Sequence, residues 1–157
     1  MKPQLFTLLV LCLCIPSCAD REAELTKDKG RLQGVWQAEF VVFDSEGVLE
    51  REDAQTYTFT FDRDTLNIQG SIASINVTHD KHCTYSLDPV KDPKQINFSW
   101  RTGTASWGIY AFEGDKLKIC WGNKKGRPKS LPDNHPSGYS FFILKRSENP
   151  SIEPGKK

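Results

Sequence analysis

Residues 56–61 alternate strictly between threonine and aromatic side chains, and this run constrains the fold more than any other feature. In an extended chain the three threonines fall on one face, and Tyr57, Phe59 and Phe61 fall on the other. A period of two is typical of a β-strand with one wet face and one buried face. The run therefore predicts a strand in a half-buried sheet.

Comparable apolar runs recur as far as residue 145, separated by clusters of Gly, Asn, Asp and Pro that are typical of turns. Strands are predicted near residues 35–42, 56–61, 66–68, 75–77, 83–87, 96–100, 107–112, 117–121 and 138–145. The connections are of hairpin length, and no helical pattern separates the strands, which argues against a parallel α/β sheet. We predict an all-β fold, a small antiparallel up-and-down barrel of about eight strands. Closure would also remove exposed strand edges.

The N-terminus has the pattern of an export signal. Lys2 is followed by the apolar residues 5–15, and this run of about 11 residues is too short to span a bilayer. The residues after it are compatible with two processing sites. Ile15-Pro16-Ser17-Cys18 resembles a bacterial lipobox, in which Cys18 becomes the lipid-modified first residue, whereas Ser17-Cys18-Ala19 is a small-x-small site with cleavage after Ala19. We favour lipidation at Cys18.

These patterns divide the chain into four parts. Residues 1–17 are predicted to be a signal peptide, and residues 18–31 a charged tether or one short helix, with Leu25 as its only large apolar side chain. Residues 32–147 would form the barrel, and residues 148–157 a disordered polar tail. The predicted location is the cell envelope, as a membrane-anchored lipoprotein, or otherwise the periplasm or the medium.

The charge balance argues against a nucleic-acid partner. The formal net charge is +1, and removal of Lys2 with the signal leaves equal numbers of basic and acidic residues. No long-range attraction to nucleic acid or to an anionic membrane results from such a balance. We expect a monomer.

Two of the five cysteines, Cys83 and Cys120, lie within the predicted barrel. Export into an oxidising compartment would permit a disulfide between them. Strand alternation argues against it, because Cys83 shares a face with apolar residues of its strand and Cys120 shares one with two lysines.

One cluster contains residue types that ligate metals: His79, Asp80, His82 and Cys83. Residues three apart in a strand point to opposite faces, so the two histidines would converge only in a turn. We interpret this segment as a solvated hairpin tip and predict no metal site.

No catalytic constellation is evident. None of the three histidines stands beside a nucleophile motif, so we predict no catalytic residue and no cofactor. The basic loop 124–129 has the charge to hold a phosphate or an acidic polymer, but a solvated loop is the simpler interpretation.

The order of several motifs resembles a known family. Leu32-Gln33-Gly34-Val35-Trp36 carries a Gly-x-Trp that resembles the opening motif of lipocalins. It is followed by Tyr85-Ser86-Leu87-Asp88-Pro89, Pro93-Lys94-Gln95-Ile96, Gly108-Ile109-Tyr110, Gly114-Asp115-Lys116-Leu117-Lys118-Ile119-Cys120, Arg127-Pro128 and Leu144-Lys145-Arg146. Together these residues resemble an uncharacterised lipocalin-like domain family that is abundant in planctomycete bacteria, over residues 32–146. The resemblance implies a fold and an exported location, without a reaction.

The lipocalin resemblance also implies a structural role for one tryptophan. Trp36 would close the barrel floor, with Arg146 or Lys145 across its ring, and a cation over an indole contributes about 0.5 to 2 kcal/mol.

An eight-stranded barrel is either filled by side chains or just wide enough for one small ligand. The candidates for a ligand-binding interior are Tyr57, Phe59, Tyr85, Trp100 and Tyr110. We therefore expect an exported, tethered lipocalin-like domain that binds a small apolar ligand. The alternative is a structural or interaction module of the cell envelope with a filled barrel and no ligand.

Overall fold

The computed structural model describes residues 18–43, 47–48, 54–72, 76–122, 126–132 and 138–147. The predicted signal peptide (residues 1–17) and the predicted polar tail (residues 148–157) lie outside the described residues.

Among the described residues, one helix precedes nine strands. The elements are α1 (Cys18–Leu32), β1 (Gly34–Phe43), β2 (Gly47–Val48), β3 (Thr58–Asp62), β4 (Thr65–Ile72), β5 (Val77–Asp88), β6 (Gln95–Trp100), β7 (Ala105–Glu113), β8 (Lys116–Gly122) and β9 (Ser140–Arg146). Neighbouring strands pair in chain order except that β1 pairs with β3, with the two-residue β2 attached to the end of β1.

Pairing of the first and last long strands closes the sheet. β1 and β9 are antiparallel, from Trp36 opposite Arg146 to Val42 opposite Phe141, with a bulge between Ala38 and Phe40. Every strand pair is antiparallel, and eight strands form the closed ring. The prediction of an all-β up-and-down barrel of about eight strands is confirmed.

The alternation in residues 56–61 has the predicted orientation in β3. Phe59 and Phe61 are buried inside the barrel, whereas Thr58 and Thr60 are half-buried on its outer face. A second, smaller apolar cluster covers part of the outside of β1, β7, β8 and β9, around Val42, Ile109, Cys120 and Phe141.

The prediction of a solvated hairpin tip at residues 79–82 is wrong. These residues lie within β5 and pair with β4, with His79 opposite Gly70 and His82 opposite Asn67. Strand alternation points His79 into the barrel, where its ring packs edge-on against Phe43 at 5.0 Å between centroids. The sequence hid this part of the strand because its inward positions, His79 and Lys81, are polar as well, so no alternation of apolar and polar residues marks it.

The prediction of a charged tether at residues 18–31 also needs correction, because residues 18–32 form the helix α1, which was the second interpretation of this segment. Asp28 and Leu32 are completely buried against one end of the barrel, and Leu25 packs against the same core. The 25–28–32 spacing forms one stripe along a helix, and the surrounding charges conceal it in the sequence. Within the described part of the chain, no helix is long and apolar enough to cross a membrane.

Candidate functional site

Trp36 and Arg146 meet at the end of the barrel that α1 covers, which we call the floor. The Arg146 guanidinium lies 4.5 Å from the centroid of the Trp36 ring. Trp36 Nε1 donates to the Leu32 carbonyl at 2.8 Å, and Arg146 Nη1 donates to the Gln33 carbonyl at 2.8 Å. These contacts join β1, β9 and the end of α1, so both side chains hold the floor together.

The five interior candidates are parts of the core. Tyr57, Phe59, Tyr85 and Tyr110 are at most 5% exposed, and Trp100 is half-buried. Their polar atoms have protein partners: Tyr57 Oη with His79 Nδ1 at 3.1 Å, Tyr85 Oη with the Arg63 carbonyl at 2.7 Å, Tyr110 Oη with Asp28 Oδ2 at 2.7 Å and Trp100 Nε1 with Ser106 Oγ at 2.6 Å. Each of these groups therefore already has an internal partner.

A continuous series of aromatic contacts fills the middle of the barrel. The ring of Phe59 on β3 lies 5.1 Å from that of Phe142 on β9, which stacks at 4.3 Å on Trp121 of β8. Trp121 in turn contacts Phe98 on β6 at 5.1 Å. Centroid separations of this size are direct ring contacts. In the middle of the barrel, these four rings therefore occupy the interior from β3 across to β6.

The two barrel cysteines are free thiols on opposite faces of the sheet, as the alternation predicts. Cys83 belongs to the interior cluster and Cys120 to the outer one. Burial raises the pKa of each thiol to about 12. Because the thiolate is the reactive form, neither side chain is poised for nucleophilic chemistry near neutral pH.

The four residues with metal-ligand character are divided between the two faces of β5. His79 and Cys83 point inward. Asp80 and His82 point outward, and His82 Nε2 lies 3.1 Å from Asp80 Oδ1. Over the described ranges, no group of three His, Cys, Asp or Glu side chains is placed to hold a metal ion.

An open groove lies at the floor of the barrel beside α1, and we call it the floor groove. Its volume is about 610 Å³. Its lining comes from α1, the loop before β6, β7 and the segment after β8: Arg31, Asp92, Pro93, Lys94, Tyr110, Ala111, Phe112, Lys129, Ser130 and Leu131. Of the residues singled out from the sequence, Tyr110, Pro93 and Lys94 of the motif Pro93-Lys94-Gln95-Ile96, and the basic loop, through Lys129, contribute to it.

A buried carboxylate fixes α1 to the wall of the groove. Asp28, which is completely buried, accepts hydrogen bonds at Oδ2 from Lys94 Nζ and from Tyr110 Oη, each at 2.7 Å. Burial, followed by the bond to Asp28, raises the pKa of Tyr110 far above its ordinary value, so the hydroxyl stays a donor. Asp28 Oδ1 is also buried, and it has no hydrogen-bond partner among the described residues.

Arg127 fixes the opposite wall. Its guanidinium donates to the Ile96 carbonyl at 3.3 Å, to Asn97 Oδ1 at 2.6 Å and to the Gly108 carbonyl. Burial lowers the pKa of this arginine. These hydrogen bonds hold residues 126–132 against β6 and β7, and Lys129 and Leu131 thereby line the groove. In the sequence, this wall was signalled by the basic loop and by the Arg127-Pro128 motif.

Comparisons with known proteins give no assignment by sequence. Neither the models of protein families nor the curated proteins match this chain, so its relation to the planctomycete domain family stays a prediction.

Three solved structures are similar to the chain at low identity. An uncharacterised protein from Bacteroides eggerthii is 11% identical, with a TM-score of 0.42 over 73% of this chain and 98% of its own. Apocrustacyanin C2 is 17% identical and lobster apocrustacyanin A1 15%, each with a TM-score of 0.44 over 85% of this chain and 71% of its own.

Proposed function

We propose that this chain is an exported, non-enzymatic binding domain that takes a small ligand in the floor groove, with the filled barrel as its scaffold. One observation carries the proposal: aromatic rings occupy the middle of the barrel, whereas the groove beside α1 is open. Its volume of about 610 Å³ lies in the range that is typical of small-molecule sites.

The test is native mass spectrometry of the exported protein, purified without detergent. A small molecule retained in the native spectrum and lost on denaturation is the expected result, with a denatured aliquot of the same preparation as control. A native mass equal to the bare chain, together with no binding from a panel of small molecules, would contradict the binding proposal.

The alternative is a structural or interaction module without a ligand, and the same ring contacts favour it. It differs from the binding proposal in one measurable respect, since a pure scaffold needs no open groove. In that case, filling the groove with a larger side chain, as in Ala111→Trp, would leave every association of the protein unchanged.

Membrane attachment through Cys18 is part of the proposal. Cys18 is exposed at the first position of α1, and Arg21 in the next turn lies 3.5 Å from Asp88 at the end of β5. A lipid on Cys18 would therefore be joined to the barrel by a docked helix of about 22 Å, at 1.5 Å per residue. This arrangement would hold the floor towards the membrane.

The mass of the mature N-terminus tests the attachment. We expect a chain that begins at Cys18 and carries lipid, and we expect Cys18→Ser to abolish that modification. An unmodified chain that begins at Asp20 would instead indicate ordinary cleavage and a freely released protein.

A further inference from the structure

The chemistry of the floor groove narrows its ligand to one class. Its lining contains three cations, Arg31, Lys94 and Lys129, against one acid, Asp92. The whole chain has a net charge of only +1, so this excess of positive charge is local. Such a concentration of cations attracts an anionic group.

The three cations are not equivalent. The Lys94 ammonium forms ion pairs with the carboxylates of Asp28, at 2.7 Å, and of Glu24, at 3.6 Å, so its charge is balanced within the protein. In the part of the chain that the structure describes, Arg31 and Lys129 form no ion pair. Two cations without an ion-pair partner among the described residues, one from α1 and one from the segment after β8, are therefore available to bind an anion.

Arg31 is held in position by contacts that do not neutralise its charge. Its guanidinium lies 4.0 Å over the Phe112 ring, and its carbonyl accepts a hydrogen bond from Arg146. A guanidinium stacked on a ring keeps its outer N–H groups directed to solvent and matches a carboxylate or phosphate through paired hydrogen bonds.

Beside the charged residues and the hydroxyls of Tyr110 and Ser130, the lining contains apolar side chains. Phe112, Leu131 and Pro93 are half-buried and lie on different elements. Partly exposed rings and aliphatic side chains beside cations suit a molecule with both an apolar body and a charged head.

We propose that the floor groove binds an anionic amphiphile, with the anionic head between Arg31 and Lys129 and the apolar body on Phe112 and Leu131. This inference rests on the proposed function and specifies its ligand class. Because Arg31 belongs to α1, the site is complete only when the helix is docked through Asp28, so ligand binding and helix docking are coupled.

Calorimetric titration with three ten-carbon probes tests the ligand class. Decanoate and decyltrimethylammonium, each below its micelle concentration, and decanol, below its solubility limit, share one chain length and differ in head charge. Decanoate is expected to bind at least 10-fold more tightly than the other two. Equal binding of all three, or no binding of decanoate, would overturn the assignment.

Matched variants test the location. The double variant Arg31→Gln/Lys129→Gln is expected to weaken decanoate binding at least 10-fold, whereas Lys91→Gln, an exposed lysine outside the lining, should leave it unchanged. Circular dichroism and thermal unfolding of each variant would verify that it is folded. An equal loss of decanoate affinity in both variants would overturn the placement of the anionic head between Arg31 and Lys129.

The outcomes separate this inference from the proposed function. If a ligand is retained in the native spectrum and the double variant still retains it, the protein binds a ligand and the groove assignment is wrong. If neither a retained ligand nor any probe is detected, both the proposed function and this inference are wrong.

Discussion

At the scale of single residues, Arg146 connects three parts of the floor. Its guanidinium covers the Trp36 ring at 4.5 Å and donates to the carbonyls of Gln33 and Arg31. The Gly-x-Trp motif and the basic end of the last strand were visible in the sequence. The two carbonyl partners were not, because they lie 113 and 115 positions away and come into reach only when β1 and β9 close the barrel.

We predict that Arg146→Gln lowers the free energy of unfolding by about 1–2 kcal/mol, from loss of the cation–π contact and of the charged hydrogen bonds at an exposed position. Urea unfolding followed by tryptophan fluorescence measures it. Lys145→Gln, one position earlier, is the matched control and should change stability by less than about 0.5 kcal/mol. Equal losses for both variants would show that the contact contributes nothing specific.

The interior residues show what alternation predicts and what it leaves open. Alternation alone places Phe59 and Phe61 inside the barrel, because a strand sends successive side chains to opposite faces. Alternation does not predict which groups the tyrosine hydroxyls bind. Tyr110 and Asp28, for example, are separated by 82 positions, and no local pattern encodes that contact.

At the scale of elements, α1 is the part of the molecule that the sequence described least well. A run with eight charged residues in 15 resembles a solvated segment, and the completely buried residue at its centre is itself an acid, Asp28. A buried carboxylate is tolerated only with partners, and here they come from elsewhere in the chain, Lys94 and Tyr110. The helix is therefore specified by tertiary contacts more than by its own pattern.

Removing the Asp28 carboxylate should release α1. We predict that Asp28→Ala lowers the free energy of unfolding by about 2–4 kcal/mol, because it leaves the buried Tyr110 hydroxyl and the Lys94 ammonium without their partner. Hydrogen exchange should show loss of protection in α1 before the strands. Glu24→Gln, which removes an exposed carboxylate on the same helix, should cost less than about 1 kcal/mol. Unchanged α1 protection in Asp28→Ala would contradict the role given to this contact.

From the contact between α1 and β7 we also predict that the protein loses stability at alkaline pH. Burial and the hydrogen bond to Asp28 raise the pKa of Tyr110, and burial raises the pKa of Tyr85 to about 12. Above about pH 10 the unfolded chain loses these protons while the folded protein keeps them. The free energy of unfolding should then fall with rising pH, by at most about 1.4 kcal/mol per pH unit for each tyrosine.

Chemical unfolding between pH 8 and pH 11.5 measures this slope. Tyr110→Phe should make it shallower, because it removes one of the two tyrosines whose pKa is raised by burial. An identical slope in the parent and in Tyr110→Phe would exclude Tyr110 as a source of the pH dependence.

At the scale of the whole molecule, the barrel could be predicted from the sequence because eight strands with short turns have few ways to bury an alternating pattern. The misassignment of residues 79–82 divided β5 into two predicted strands, near residues 75–77 and 83–87, but it did not alter the order of the other strands. The candidate site could not be predicted in the same way. The floor groove combines side chains from α1, β7 and two loops, so it exists only in the folded chain.

The central claim is that a ligand binds in the open floor groove and not in the middle of the barrel, which aromatic rings occupy. A crystal soaked with 10-bromodecanoate tests it most directly, because the anomalous signal of bromine distinguishes that atom from the atoms of the protein and the solvent. We expect a bromine peak in the floor groove in contact with Phe112 or Leu131, with the carboxylate between Arg31 and Lys129. A peak inside the barrel, between Phe59 and Trp121, would contradict the claim.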